Sequence, residues 1–148
     1  ENGQIVVARI DGEITVKRLQ RRREKILLLP RNPDYAPIEV PADADFVFDA
    51  RCLPNPHWIP ALRPLSGKDR PVMDFFDADE STQAYRTQVM AFIDTWLPRF
   101  EAETRSYLTV AFGCTGGRHR SVYLAEAMAA HHHALGRDKV MVYHRELE

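Results

Sequence analysis

The chain has 148 residues, 45% of them hydrophobic and 28% charged, with a formal net charge of −1. This composition supports one folded core and excludes a disordered tail. It also excludes a polycation that holds nucleic acid by bulk charge, and two cysteines exclude a disulfide framework and point to a reducing, cytoplasmic setting.

Residues 1–40 read as β structure. Ile5–Ile10 is a β-branched run, Asp11-Gly12 is a turn pair, and Ile14–Leu19 alternates apolar and polar residues, which predicts a hairpin. Ile26–Leu29 is a third short strand, closed by Pro30 and Pro33. Residues 41–148 then alternate strand and helix. Asp45–Arg51 predicts a strand, and Cys52–Lys68 a loop stiffened by Pro54, Pro56, Pro60 and Pro64. Pro71–Phe76 predicts a short helix with proline at its start. Ser81 is the expected cap of a long helix reaching Glu103, with apolar residues at Val89, Phe92, Ile93 and Trp96. Pro98 inside that span is expected to kink or end it. Tyr107–Phe112 is a buried strand, Ser121–Leu135 a helix stopped by Gly136, and Lys139–His144 a last strand. The order implies an α/β fold: a mixed, partly parallel sheet flanked by helices. The N-terminal hairpin segment is expected to extend that sheet, because β pairing runs through backbone groups. No run approaches the about 20 apolar residues of a membrane span. No secretory signal opens the sequence, which begins in mid-pattern as a fragment would.

The chemistry concentrates at Gly113–Ser121. A strand ends at Phe112 and a helix begins near Arg118, with Gly116 and Gly117 between them. Two glycines permit a tight turn with positive φ, and the next amides point into one concavity at a helix N-terminus. Such a nest binds phosphate through unpaired N–H groups. Arg118 and Arg120 add charge-assisted donors to the same anion, so Cys114, Thr115, Gly116, Gly117, Arg118, His119, Arg120 and Ser121 are the expected ligand-binding residues. Arg51 joins them, because ligands of open α/β sheets sit beyond the carboxyl ends of strands. The stretch also satisfies C-x5-R-S, the loop of cysteine-dependent phosphatases, with Asp49 or Asp74 as a candidate acid. Burial behind Leu108–Phe112 raises the Cys114 thiol and a helix N-terminus lowers it. Elsewhere, consecutive helical residues point about 100° apart, so His131–His133 cannot all share one ion, and no metal is expected. Arg21–Arg23 reads as a solvated turn.

Two resemblances follow from these stretches. NGQIVVARIDGEITVKRL and ILLLPRNPDYAPIEV, over residues 2–40, resemble the C-terminal peptidase domain of the LexA and UmuD family. That resemblance aligns Lys17 with the lysine of a Ser–Lys dyad whose serine would lie upstream of residue 1. A lysine without its nucleophile performs no acyl transfer, so neither self-cleavage nor any catalytic residue is expected. PADADFVFDARCLPNPHW, LRPLSGKDRPVMDFF, RSYLTVAFGCTGGRHRSVYLAE and the terminal HREL, over residues 41–147, resemble the C-terminal domain of the RapZ family of RNase adapters and its YvcJ relatives.

The RapZ resemblance implies a non-catalytic domain, without cofactor, that binds small regulatory RNA and an aminosugar phosphate, glucosamine-6-phosphate. It places His57 in the ligand pocket and implies that Cys114 is structural. The family's P-loop domain and terminal basic residues are not in the sequence, so RNA binding is expected to be weak. The domain division is therefore a β segment at 1–40 and an α/β domain at 41–148, joined as a chimera. A homo-oligomer is compatible with the sequence. Two other readings stand beside this one: a cysteine phosphatase, and a designed or recombined scaffold without intact activity.

Overall fold

The computed structural model describes residues 5–10, 13–22, 25–29, 38–40, 44–103 and 107–147. Strands β1 (Ile5–Ile10), β2 (Glu13–Arg22), β3 (Lys25–Leu29) and β4 (Ile38–Val40) form one antiparallel sheet in the order β1-β2-β3-β4. The expected hairpin is present, with Ile10 opposite Glu13; its turn pair Asp11-Gly12, like Arg23 and Pro30–Pro33, lies outside the described residues. Lys17 stands opposite Val6.

Strand β5 (Phe46–Asp49) pairs in parallel with β6 (Val110–Gly113), in a second sheet. Among the described residues the first sheet does not extend the second by ladder pairing, as the sequence had suggested; β4 closes on β3. A parallel pair needs a long crossover. Here it contains α1 (Arg70–Asp77) and α2 (Glu80–Glu101), and α3 (Arg120–Ala134) follows β6. This is the mixed α/β architecture that the sequence implied.

Register explains where a site forms. Phe46 stands opposite Val110 and Asp49 opposite Gly113. Both strands therefore end level, and the segments that follow them leave the sheet at the same carboxyl edge. The helices hold that edge through two apolar clusters. Ala50, Leu53, Val72, Phe76, Tyr123 and Leu124 form one, with Phe76 fully buried and its ring centroid 4.7 Å from that of Tyr123. Val89, Ile93 and Met128 form the other, against Phe46, Phe48 and Phe112 of the sheet. Burying one such large side chain stabilises by about 1.5–3 kcal/mol, so these clusters fix α3 against α1 and α2.

Four local expectations are corrected. The strand expected at Tyr107–Phe112 begins only at Val110 and is half-buried, with Tyr107 exposed. The cap of α2 is Asp79, not Ser81: its carboxylate accepts from the Thr82 amide at 2.7 Å and from the Ser81 hydroxyl at 2.6 Å. A carboxylate accepts several donors at once, so the serine becomes a donor to the cap. Pro98 does not end α2, which runs on to Glu101; it lies in the last turn and removes one ladder bond there. Lys139–His144 is not a strand. Its alternation is real, with Val140 and Val142 half-buried and Met141 and Tyr143 exposed, but it forms no ladder with β6. Gly136 ends α3 at φ 80°, as expected of a left-handed stop.

Candidate functional site

The loop from Cys114 to His119 carries β6 into α3. Gly117 has φ 57°, a conformation that favours glycine, and a Cβ there would lie 2.4 Å from Cγ of Glu146. Gly116 has open space around it. The helix starts at Arg120 with no side-chain cap, its N-cap being His119. Among the described residues, the amides of Thr115, Gly116, Arg118 and His119 donate to no backbone carbonyl. An uncapped helix start of this kind offers its amides and its dipole to an oxyanion.

Arg120 is the anchor beneath the loop. It is buried to 5% exposure, and its Nη1 donates to the carbonyls of Arg51 at 3.1 Å and Leu53 at 3.2 Å. Its Nη2 lies 3.5 Å from the Thr115 hydroxyl. The guanidinium thus ties the loop after β5 to the loop after β6 and brings a fixed positive charge under both. Arg118 is exposed at the rim. Arg51 arrives by its backbone: its guanidinium is held by the Asp49 carboxylate, Nη2 to Oδ2 at 2.6 Å and Nε to Oδ1 at 2.9 Å.

Cys114 carries opposed effects, as the sequence implied. Burial does raise its thiol, but the Ser121 hydroxyl and amide, the Arg120 charge and the Gly117 amide together outweigh burial and hold it below its usual range. The Ser121 Oγ lies 3.2 Å from the sulfur. His119 is buried, with Nε2 3.2 Å from the Leu62 carbonyl; burial above all, and then the charges of Arg118 and His57, press its pKa down, against the Leu62 and Arg63 carbonyls. His57 is exposed on a short 3-10 turn, its ring edge-on to Trp58 at 5.6 Å. Arg63 secures its loop by donating from Nε to the His57 carbonyl at 2.9 Å.

Several contributors were not named from the sequence. Gly67 donates to the Arg118 carbonyl at 2.9 Å, and a Cβ on it would sit 2.4 Å from both the His119 carbonyl oxygen and the Tyr123 nitrogen. Glu126 on α3 joins Lys68 at 3.3 Å to His144 at 2.8 Å. Glu146 covers Gly117. Thus the stretches LSGKDRP, GCTGGRHRS and HREL, distant in sequence, meet at one helix start. Their residue types signalled polarity, but no spacing rule reports which of them meet.

These features define a class: an α/β domain whose glycine loop opens a helix at the carboxyl edge of a parallel strand pair. The chain belongs to the family of the RapZ C-terminal domain, whose model matches residues 36–148. A Peptidase S24-like model matches residues 1–51, so the two overlap at residues 36–51. The chain is 59% identical over 107 residues to a nucleotide-binding protein of Xanthomonas euvesicatoria pv. vesicatoria, covering 72% of this chain. It is 60% identical over 109 residues to a nucleotide-binding protein of Xylella fastidiosa, covering 74% of this chain. The matched region is 38% of each relative's length, so the chain spans about two fifths of these curated relatives. No described helix is long and apolar enough to cross a membrane.

Proposed function

We propose that this is a non-catalytic adapter domain that holds the phosphate of an aminosugar phosphate, glucosamine-6-phosphate, at Thr115–Arg120 and contacts small regulatory RNA from the same rim. The observation that carries the reading is the start of α3 without a side-chain cap, where the amides of Thr115, Gly116, Arg118 and His119 donate to no backbone carbonyl among the described residues, beside a buried guanidinium. The fixed charge of Arg120 complements a phosphate, and exposed Arg118 supplies a charge-assisted donor at the edge. His57, exposed on its 3-10 turn, would meet the sugar, as the family resemblance implies. RNA would meet the same arginines through its phosphates, which position a strand and make binding depend on salt. The name of the relatives, nucleotide-binding protein, is consistent with a phosphate-binding role but describes much longer chains.

The test is a pair of thermal melts. Glucosamine-6-phosphate is expected to raise the melting temperature of the native chain and to raise it less in Arg118→Ala, whose own stability stays within about 0.5 kcal/mol of native because the side chain is exposed. Structured RNA retained on filters should weaken in the same variant and show a shallower salt dependence. Flat melts in both proteins would remove the reading.

One observation favours a second reading: the Cys114 thiol is held low by Ser121, Arg120 and Gly117 despite its burial. A thiolate there could attack phosphorus, provided an acid protonates the leaving oxygen. Asp49 is engaged by Arg51, and Asp74 by Arg70 at 2.8 Å. The expected result is no hydrolysis of p-nitrophenyl phosphate above a buffer blank, with Cys114→Ser folded and still stabilised by the sugar phosphate. Turnover that disappears in Cys114→Ser would make the phosphatase the better account.

A further inference from the structure

We propose that Asp94, His131 and His132 form a site for a divalent transition-metal cation of the zinc type, at the opposite end of α3 from the anion loop. Asp94 projects from α2, and the two histidines from the last turn of α3. The three ligand atoms all lie within 4.8 Å of one another. His131 Nε2 is 2.7 Å from Asp94 Oδ2, and His132 Nδ1 is 4.0 Å from Asp94 Oδ1. Ligands about 2.1 Å from a tetrahedral ion stand about 3.4 Å from one another, so each of these two gaps, which run to different oxygens of the one carboxylate, is within about 1 Å of that spacing.

The decisive atom is His132 Nδ1. The residue is 6% exposed, and Nδ1 has no hydrogen-bond partner among the described residues. A buried polar atom left unpaired is costly and calls for an explanation. A cation gives one: it takes the Nδ1 lone pair and shares the Asp94 carboxylate. The site lies where carbonyls crowd at the C-terminal end of a helix, where a positive ion is favoured.

His133 diverges, as consecutive helical residues do, and turns to the Arg137 carbonyl at 3.0 Å. His131 and His132 stay together, with ring centroids 5.2 Å apart. Three protein ligands leave a fourth position for water. Such an ion would fasten α2 to α3 beside a cavity of about 540 Å³ that His132 lines with Ile93, Leu97 and Met128.

The experiment compares the whole chain with Asp94→Asn and His131→Ala, both altered outside the core, and with His132→Gln. Zinc chloride is expected to raise the melting temperature of the native chain by several degrees. In every variant the apparent affinity should fall by about tenfold or more. Cobalt(II) in its place should give visible bands of a nitrogen–oxygen site without thiolate charge-transfer absorption. The proposal is overturned by a native chain that ignores zinc, by a shift that persists in Asp94→Asn and His131→Ala, or by thiolate bands, which would place the ion on Cys52 or Cys114.

Discussion

Gly67→Ala is expected to lower stability by about 3 kcal/mol, the upper end of what a single overpacked methyl costs. The Cβ would fall 2.4 Å from the His119 oxygen and 2.4 Å from the Tyr123 nitrogen, with Val122 Cβ at 2.9 Å. Two of these three are backbone atoms in the first turn of α3, and the third is held by its helix. No side chain can swing aside, so the relief must come from shifting the 62–69 segment off the helix. That shift removes the bond from the Gly67 amide to the Arg118 carbonyl and the bond from His119 to the Leu62 carbonyl. The loss should therefore appear twice, as a lower urea midpoint and as a weaker response to glucosamine-6-phosphate. Gly116→Ala is the matched control, since its Cβ meets nothing within 4 Å; its midpoint should stay near native. A native midpoint in Gly67→Ala would show that the packing at this contact is looser than the structure has it.

Arg120→Ala should abolish the response to sugar phosphate and cost about 2–3 kcal/mol in stability. The side chain is buried, and its Nη1 serves two carbonyls, those of Arg51 and Leu53. Truncation leaves both acceptors without that donor, the Leu53 carbonyl in a buried contact, and unties the loops after β5 and β6. Arg120→Lys keeps the charge but not the planar fork, so it should recover part of the stability and little of the ligand response. A second readout separates charge from packing. Arg120 helps hold the Cys114 thiol low, so removing it raises the thiol pKa, and alkylation of Cys114 at a fixed pH near neutrality should slow. Native stability together with a native ligand shift in Arg120→Ala would remove this residue from the site.

Much of this architecture was legible as pattern. The β5 run around Phe46 and Phe48, the Pro71 helix start, and the Gly116-Gly117 turn between an apolar strand and a helix are local signals. Their periods and turn residues mean the same thing in most folds. The segment at Lys139–His144 shows where pattern stops. Its alternation correctly separated the half-buried Val140 and Val142 from the exposed Met141 and Tyr143, yet a strand also needs a partner's backbone, which the segment itself does not specify. The cap of α2 moved to Asp79 because the choice between neighbouring acceptors depends on which one reaches the third amide. At the site, glycines and arginines announced the loop. The roles of Gly67, Glu126 and Glu146 arise only from contacts across the fold, and so does the meeting of Asp94 with His131 and His132.

The way Glu126 and Gly117 are covered has a consequence for truncation. A chain cut after α3 still holds both glycines, Arg120 and Glu126. It lacks His144, which closes on Glu126 at 2.8 Å, and Glu146, which lies against Gly117. The core clusters draw on residues no later than Met128, so they do not depend on the segment that carries His144 and Glu146. Such a cut is expected to leave the packed helices in place and to strip the lip from the loop.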